Sequence, residues 1–487
     1  MRWNTGWTAG AQLAPLISAG AALPFLARQL GEERLGILLL VWTIVSLASV
    51  LDLGVGRALT QMLAARRDSG QSSDLKYIAR TGIGLSGLIG LAIGTLLLIT
   101  SDWLTSSLPH TTTWTPEASN SLLMVGISLP ILLLSNAFRA VLDGLERFEL
   151  SARIRIPIGI LTFLCPLALL PFTNRADLAV AALLTVRFGG ALVLGVAVAQ
   201  VLSKSPPGDC TALGPLRELL HLGGWVSVSN IASIILVYAD RFLIASFVSI
   251  AAVAHYTTAS EVVTRLLLGP VAVAAVWFPA LARKQSVKDE GYRDLAEQGV
   301  RLITIVILPL LFVLVSISDP FLRLWAGVEI AEAGAPVLQW LALGVFLNAL
   351  AQIPFATLHA QARADAPALL HLVELPLYLI LLLWALPALG LKGAAIAWTA
   401  RTGFDLLGLL ILASRLESRF AGVATMTVRL ALEGIGLLGI TMALSNFLSP
   451  WTGMLIMCPF CIGWLWKRAL TPRWQHEISA RMRRTFG

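Results

Sequence analysis

Long apolar runs separated by short charged clusters dominate the pattern of this chain. A helix needs about 20 mostly apolar residues to cross a bilayer. Because the runs are long and apolar on every side, they predict membrane helices and not the alternating strands of a barrel. About fourteen runs reach this length. They cover residues 7–27, 35–56, 80–101, 119–142, 154–173, 177–201, 219–240, 252–280, 301–319, 335–360, 366–388, 392–414, 427–448 and 450–466.

The composition supports an all-α polytopic membrane protein. Hydrophobic residues make up 57% of the 487 residues and charged residues 13%, and the mean hydropathy is +0.79. Soluble domains contain about 25% charged residues. The sequence lacks a Walker motif, which argues against direct ATP hydrolysis as the energy source.

The net charge of +8 suggests a nucleic-acid partner at first, but the positions of the basic residues indicate topology instead. Most of them fall in alternate loops, with dense groups at 57–80, 283–301 and 467–484. Basic residues concentrate in the cytoplasmic loops of membrane proteins. An even number of spans then places both termini in the cytoplasm. Anionic membrane lipids are an alternative partner for the basic tail, and no nucleic acid is expected.

An internal repeat is visible along the chain. The segment "ARQLGEERLGIL" from Ala27 aligns with "ASFVSIAAVAHY" from Ala245, and "LAARR" aligns with "ALARKQ" in the same register. These matches predict two six-helix halves in the same orientation. Such parallel lobes are typical of transporters, whose substrate path lies between them. We predict an N-lobe over 1–202, a cytoplasmic linker over 203–217, a C-lobe over 218–414, and two extra helices with a basic tail over 415–487.

Glu261 and Arg265 lie inside the apolar run 252–280. Residues four apart share one face of a helix and can pair. Arg265 lies roughly 20 Å from the cytoplasmic end of this run, too far for its side chain to reach the surface. Charged residues at such a depth usually face a cavity or a partner. Two interpretations remain open, a structural ion pair and an anion-binding arginine that Glu261 holds in place.

Further charged residues lie within the predicted spans. Arg187 and Arg401 are near the centres of theirs, and Asp405 follows Arg401 by one turn. Each arginine is expected either to pair within its own lobe or to face the transport path. Asp52 precedes Arg57 near the cytoplasmic end of the second span, where it is either an interfacial carboxylate or a proton or sodium site.

Four other polar residues are expected to have no special role. Arg139 ends the fourth span, where a solvated charge that sets topology is expected. His359, His371 and Glu374 flank the predicted turn between the tenth and eleventh spans. We expect solvated or capping roles for them, and the sequence predicts no metal site.

Five segments with a shared pattern follow one another along nearly the whole chain. They are "ARQLGEERLGILLLVWTIVSLASVLDLGVGRALTQMLAARR" at 27–67, "SNAFRAVLDGLERFELSARIRI" at 135–156, "LVYADRFLIASFVSIAAVAHYTTASEV" at 236–262, "SDPFLRLWAG" at 318–327 and "LKGAAIAWTARTGFDLLGLLIL" at 391–412. With these segments the chain resembles the polysaccharide-transporter branch of the multidrug/oligosaccharidyl-lipid/polysaccharide superfamily. That branch includes O-antigen flippases and is distantly similar to lipid II flippases.

The resemblance implies a V-shaped pair of lobes that alternates between inward- and outward-open forms. It implies a cargo of isoprenoid (undecaprenyl) pyrophosphate-linked oligosaccharide, flipped from the cytoplasmic to the periplasmic leaflet of a bacterial inner membrane. The product would be O-antigen, capsule or exopolysaccharide, and polymerase or assembly machinery is an implied partner. Lipid II flippases have essential arginines on their first, second and eighth helices. Arg265 matches the eighth-helix position in kind, Arg57 matches the second approximately, and Arg28 ends the first helix on its outer side.

From these arguments we expect Arg265, oriented by Glu261, to contact the pyrophosphate. Arginine keeps its charge and binds phosphate oxygens in pairs. Arg57, Arg187 and Arg401 are weaker candidates for the same role.

The sequence also bears on the energy source of transport and on two competing functions. No bound cofactor is expected, and the membrane potential, a proton or a sodium ion would drive transport, with Asp52 or Asp405 as the coupling carboxylate. A multidrug exporter of organic cations is an alternative, although its cavity should favour carboxylates. A membrane glycosyltransferase or polymerase would need a large outer loop or paired carboxylates, and the sequence shows neither. We therefore predict a transporter and not an enzyme.

Overall fold

A computed structural model of the chain contains only helices and turns in the part that it describes. The described residues are 2–48, 52, 54–68, 74–106, 116–203, 235–286, 291–361, 363, 365–470 and 475. Most of the predicted linker, the first part of the span predicted at 219–240 and most of the basic tail lie outside them. The predicted lobe boundaries therefore stay a prediction.

The chain divides into two compact units, residues 1–254 (unit 1) and 255–487 (unit 2). The described helices of unit 1 are α1 (Arg2–Ala48), α2 (Val55–Asp68), α3 (Leu75–Ser106), α4 (Pro116–Gly144), α5 (Phe148–Leu169), α6 (Ala176–Ser203) and α7 (235–247). The boundary falls inside α8 (Ile250–Thr264). Unit 2 continues with a 3-10 turn (Arg265–Leu267), α9 (Leu268–Ser286), α10 (Tyr292–Ser316), α11 (Ser318–Trp325), α12 (Val328–Ala360), α13 (Asp365–Leu389), α14 (Leu391–Leu416), a second 3-10 turn (Ser418–Phe420), α15 (Ala421–Phe447), α16 (Pro450–Trp464) and a π-helical turn (Leu465–Ala469).

Ten helices of the described residues are long and apolar enough to cross a membrane. This confirms the predicted class, an all-α polytopic membrane protein. In unit 2 the longest helix is α12, whose side chains are mostly buried because it packs against α9, α10, α11 and α14. In unit 1, α6 packs against both α4 and α5, and α5 also packs along α1.

Helix α1 combines the first predicted span and part of the second. The expected turn between them is reduced to Gly31, whose φ of 73° and ψ of 172° interrupt the helix. Glycine adopts a positive φ without the steric cost of a side chain. The described part of the helix reaches Ala48, and the last residues of the span predicted at 35–56, Val55 and Gly56, belong to α2.

The span predicted at 252–280 is also interrupted. Helix α8 passes into the 3-10 turn at Arg265, and α9 follows with Pro270 in its first turn. Proline has no backbone N–H to donate and its ring crowds the preceding turn. The helix is therefore tightened into a 3-10 turn that begins at Arg265, just before the "LGP" sequence at 268–270.

Glycines bring α3 and α4 into close contact. A methyl group built on Gly94 would lie 2.5 Å from the carbonyl oxygen of Gly126, and one on Gly90 would lie 2.6 Å from the Cα of Pro130. Both distances are too short for a real Cβ. Small residues permit such backbone approach in membrane helices.

Candidate functional site

A cavity of about 360 Å³ lies within unit 1. Ligand pockets typically span about 300–1,000 Å³. Helices α1, α4, α5, α6 and α7 contribute its walls. The lining residues are Pro15, Val45, Ser46, Leu132, Ser135, Asn136, Arg139, Arg155, Ile158, Gly159, Phe163, Arg187, Leu194 and Tyr238.

All three charged residues that line this cavity are arginines. Arg139 comes from the last turns of α4, Arg155 from the second turn of α5 and Arg187 from the middle of α6. Because α6 packs against both other helices, their side chains converge. Arg155 lies within electrostatic range of Arg139 and of Arg187. We call Arg139, Arg155 and Arg187 the arginine cluster.

The positive charge of the arginine cluster is only partly neutralised. The Nε of Arg139 lies 3.8 Å from Oδ2 of Asp143, and neither Arg155 nor Arg187 has an ion-pair partner among the described residues. The buried Nε atoms of Arg139 and Arg187 also have no hydrogen-bond partner there. Buried donors are almost always satisfied in folded proteins. Unmet donors and unpaired positive charge at a cavity fit an anion with several oxygen acceptors.

The remaining lining of the cavity is mixed in character. Phe163 packs edge-on against Trp42 with their ring centroids 4.7 Å apart, which fixes one aromatic wall. Tyr238 adds a second aromatic ring, while Ser135 and Asn136 add side chains that can donate or accept hydrogen bonds. The site therefore offers apolar and hydrogen-bonding surface beside the positive charge.

One predicted site residue, Arg187, lies in this cavity. Two others, Glu261 and Arg265, form an ion pair in unit 2. The side chain of Arg265 is 47% exposed, so the ion pair that it forms with Glu261 is not fully buried. Its role as the principal pyrophosphate ligand stays a prediction.

Asp52 and Arg57 lie at the beginning of α2. Oδ1 of Asp52 accepts a hydrogen bond from the Gly54 N–H at 3.0 Å, and Oδ2 accepts one from the Gly56 N–H at 2.9 Å. The buried carboxylate thus caps the helix. Arg57 follows in the first turn with an exposed side chain. Ion coupling by Asp52 and pyrophosphate binding by Arg57 stay predictions.

The sequence interpretation missed Arg139 and Arg155 as members of the site. Arg139, which was expected to be only a solvated charge, lines the cavity. Arg155 lies at the beginning of the span predicted at 154–173. In the structure α5 begins at Phe148, so Arg155 lies well inside the helix. The one available signal was the "RIR" triplet at 153–155 within an apolar context.

A second group of polar residues lies within unit 2. His371 and Glu374 of α13 meet Asp405 of α14. A ring nitrogen of His371 and one carboxylate oxygen from each acid all lie within 4.8 Å of one another. Glu374 and Asp405 are 1% and 6% exposed. The expectation of a solvated or capping role for Glu374 was wrong, because α13 begins at Asp365 and Glu374 is buried where this helix packs along α14. His371 keeps a partly exposed side chain beside Asp405.

His359 lies in the last turn of α12, where its expected capping role stays a prediction, and Arg401 lies near the second group. Nδ1 of His359 lies 3.1 Å from the Phe355 carbonyl oxygen in the last turns of α12. The guanidinium carbon of Arg401 lies 5.8 Å from the ring centroid of Tyr378 and 5.9 Å from that of Trp398. These are cation–π distances, so Arg401 packs over aromatic rings, and the described residues show no ion pair between it and Asp405.

Comparison with known proteins gives related sequences over most of the chain. The model of a family described as polysaccharide biosynthesis protein matches residues 25–335. A Shigella flexneri protein named "Putative O-antigen transporter" is 28% identical over 416 residues, which cover 85% of this chain and 98% of that protein. The Bacillus subtilis "Teichuronic acid biosynthesis protein TuaB" is 30% identical over 155 residues, which cover 31% of each chain.

Solved structures show the same fold at low sequence identity. A structure of the lipid II flippase MurJ in an inward closed conformation matches with a TM-score of 0.69 at 15% identity, covering 96% of this chain and 97% of that one. An inward-facing multidrug resistance transporter of the MATE family in the MOP superfamily matches with a TM-score of 0.67 at 15% identity, covering 85% of this chain and 99% of that one. The chain thus has the fold of MOP-superfamily transporters.

Proposed function

Because the chain belongs to the polysaccharide biosynthesis protein family, we propose that it is a flippase for isoprenoid pyrophosphate-linked oligosaccharides. It moves these repeat units from the cytoplasmic to the periplasmic leaflet of the inner membrane by alternating access. The units then serve the synthesis of O-antigen, capsule or exopolysaccharide. The name of the Shigella relative and the fold shared with a lipid II flippase support this choice.

The observation that carries the proposal is the arginine cluster in the cavity of unit 1. A diester of pyrophosphate carries two negative charges and many acceptor oxygens, which lipid cannot solvate. Three arginines line the cavity, whereas Asp143 is the only described carboxylate that forms an ion pair with one of them, so positive charge remains to balance the pyrophosphate. Guanidinium groups bind phosphate oxygens through paired, charge-assisted hydrogen bonds.

The positive charge of the cavity lining also separates this function from its main alternative, the export of organic cations. An exporter of organic cations needs carboxylates or aromatic rings that face its cargo. Among the described residues, no carboxylate lines the cavity of unit 1. The arginine cluster would repel a cationic drug, so an anionic cargo is the better match.

A transport assay tests the proposal. The purified protein is reconstituted in liposomes with a defined, labelled undecaprenyl pyrophosphate oligosaccharide, and its movement between leaflets is followed. Each of Arg155→Ala and Arg187→Ala should slow transport roughly 10- to 100-fold, because each removes charge-assisted hydrogen bonds worth about 1.5–3 kcal/mol.

Arg153→Ala is the matched control. Arg153 lies two residues before Arg155 on the same helix, but its side chain is 62% exposed and hydrogen-bonded to Glu149. This variant should transport at the wild-type rate. Failure of the wild type to move the labelled lipid, together with transport of an organic cation such as ethidium, would replace the proposal with drug export.

Arg265 remains a second proposed ligand of the pyrophosphate. Its guanidinium is half exposed and is held by Glu261 from the preceding turn. Arg265→Ala should therefore slow transport, whereas Arg323→Ala removes an exposed arginine from a similar i, i+4 pair with Asp319 and should not. Undiminished transport by Arg265→Ala would remove that residue from the site and leave the arginine cluster standing.

A further inference from the structure

Two carboxylates are buried against each other inside unit 2. Glu374 is 1% exposed, and neither of its carboxylate oxygens has a hydrogen-bond partner in the described part of the chain. Oδ1 of the buried Asp405 has none either. Both residues lie in candidate membrane spans. An ionised group in such surroundings is costly unless another charge balances it.

The charges around this pair leave one unit of negative charge unbalanced. Arg401 is the nearby cation and acts electrostatically on Glu374. With both carboxylates ionised, the two negative charges would face one positive charge. Like charges a few ångströms apart cannot both ionise easily, and such pairs share one proton. One proton makes the group of Glu374, Asp405 and Arg401 neutral.

Other titratable groups lie on the helices around the pair. His371 is on the same helix as Glu374, and Tyr378 lies one turn further on. Helices α12 and α15 and the second 3-10 turn pack against α13 or α14. Their titratable residues are Glu329, Glu332 and His359 on α12, Arg429 and Glu433 on α15, and Arg419, which pairs with Glu417, on the turn.

His371 connects the buried pair to the outside. Its side chain is 27% exposed, while that of Asp405 is 9% exposed. Nε2 of His371 lies 3.6 Å from Oδ1 of Asp405, and a small side-chain movement would bring the two atoms into hydrogen-bond distance. A proton taken up by the imidazole can leave Nε2, breaking the N–H bond, and form an O–H bond on the carboxylate. The imidazole is then neutral again.

We propose that Glu374 and Asp405 share one exchangeable proton inside the membrane and that His371 is the group through which it enters and leaves. A proton fits better than a metal ion for two reasons. A sodium ion prefers oxygen ligands to an imidazole nitrogen, and a divalent ion would leave an excess positive charge in the spans. If the chain is the flippase proposed above, this site couples transport to a proton gradient.

Infrared difference spectroscopy of the purified full-length protein tests the site without any transport. At neutral pH the wild type should show the absorption of one protonated carboxyl group, which disappears at alkaline pH. Both Glu374→Gln and Asp405→Asn should lose this absorption, because a single remaining carboxylate is balanced by Arg401. Glu332→Gln, an exposed carboxylate of α12, should retain it.

His371→Gln tests the entry route. The absorption should persist in this variant, but after a pH jump it should change at least about tenfold more slowly, since a proton relay is lost. Wild-type kinetics in His371→Gln would remove His371 from the proposal. Retention of the absorption in both carboxylate variants, or its absence from the wild type together with sodium-specific thermal stabilisation, would overturn the shared proton.

Transport under a pH gradient tests the coupling separately. A pH gradient across the liposome should accelerate transport by the wild type and by Glu332→Gln, and the acceleration should disappear in Glu374→Gln. Acceleration that persists in Glu374→Gln would refute the coupling. A wild type that shows the infrared absorption but moves no lipid would refute the proposed function and leave the proton site in place.

Discussion

Unit 1 gathers three arginines around a cavity, whereas unit 2 places two buried carboxylates close to each other and to one arginine. The two arrangements suit different ligands. An open space lined by fixed positive charge accommodates a large anion with many oxygens. A closed contact between two acids admits the smallest cation, a proton. The difference in packing, and not only in the sign of the charge, therefore separates the proposed cargo site from the proposed coupling site.

By contrast, the carboxylate of Glu117 in unit 1 is fully paired. Glu117 accepts two hydrogen bonds from Arg34, both at 3.0 Å, and a third from the Ala176 N–H at 3.0 Å. This carboxylate ties α1 to the first turns of α4 and α6. Polar groups whose hydrogen bonds are satisfied in this way stabilise the packing of the helices. The polar groups of the two sites that lack hydrogen-bond partners remain available for ligands.

The largest expected effect comes from reversing one charge of the arginine cluster. Arg187→Glu should reduce transport roughly 100-fold or more, with or without a pH gradient, because it removes charged hydrogen bonds and repels phosphate. Glu374→Gln should instead remove only the response to the gradient. Liposome transport under both conditions distinguishes the two, with Arg153→Glu as the control. If Arg187→Glu affected only the gradient response, the two sites would not have separate roles.

A smaller effect is expected from the frame that holds the arginine cluster. Glu117→Ala leaves the buried Ala176 N–H and the Arg34 guanidinium without their acceptor, so it should lower the free energy of unfolding by about 1–3 kcal/mol. Glu149→Ala breaks only the exposed pair with Arg153 and should cost less than about 0.5 kcal/mol. Denaturant unfolding in detergent micelles measures both. Equal costs would show that Glu117 does not fasten these helices.

The smallest expected effect compares two buried carboxylates. Asp52→Ala removes the cap of α2 and should lower the free energy of unfolding by about 1 kcal/mol. Glu374→Gln should leave that free energy nearly unchanged, because the amide can still donate a hydrogen bond to Asp405, whose charge Arg401 then balances. The same unfolding measurement compares them. A larger loss in Glu374→Gln than in Asp52→Ala would make Glu374 a structural anchor and not a ligand site.

The sequence predicts the helical membrane class well because apolar runs and charge clusters are local features of the chain. The break at Gly31 and the bend before Pro270 also have local causes. Contacts between helices leave no such local pattern. Nothing near Glu374 in the sequence indicates that it meets Asp405, since that contact depends on how α13 packs along α14.

Helix boundaries limited the prediction of the cavity. Arg155 follows two turns of helix that contain Glu149 and Arg153, and these charges obscured the true beginning of α5. Arg187 was recognisable because it is isolated within an apolar run. The arginine cluster as a whole required the packing of α6 against α4 and α5, which no single segment specifies.

The contact of α3 with α4 also bears on the position of one arginine of the cluster. Where Gly94 meets Gly126, there is no room for even one additional carbon atom. A larger side chain at Gly94 would therefore push the two helices apart. Because Arg139 lies on α4, such a substitution would also shift Arg139 relative to the arginines of α5 and α6.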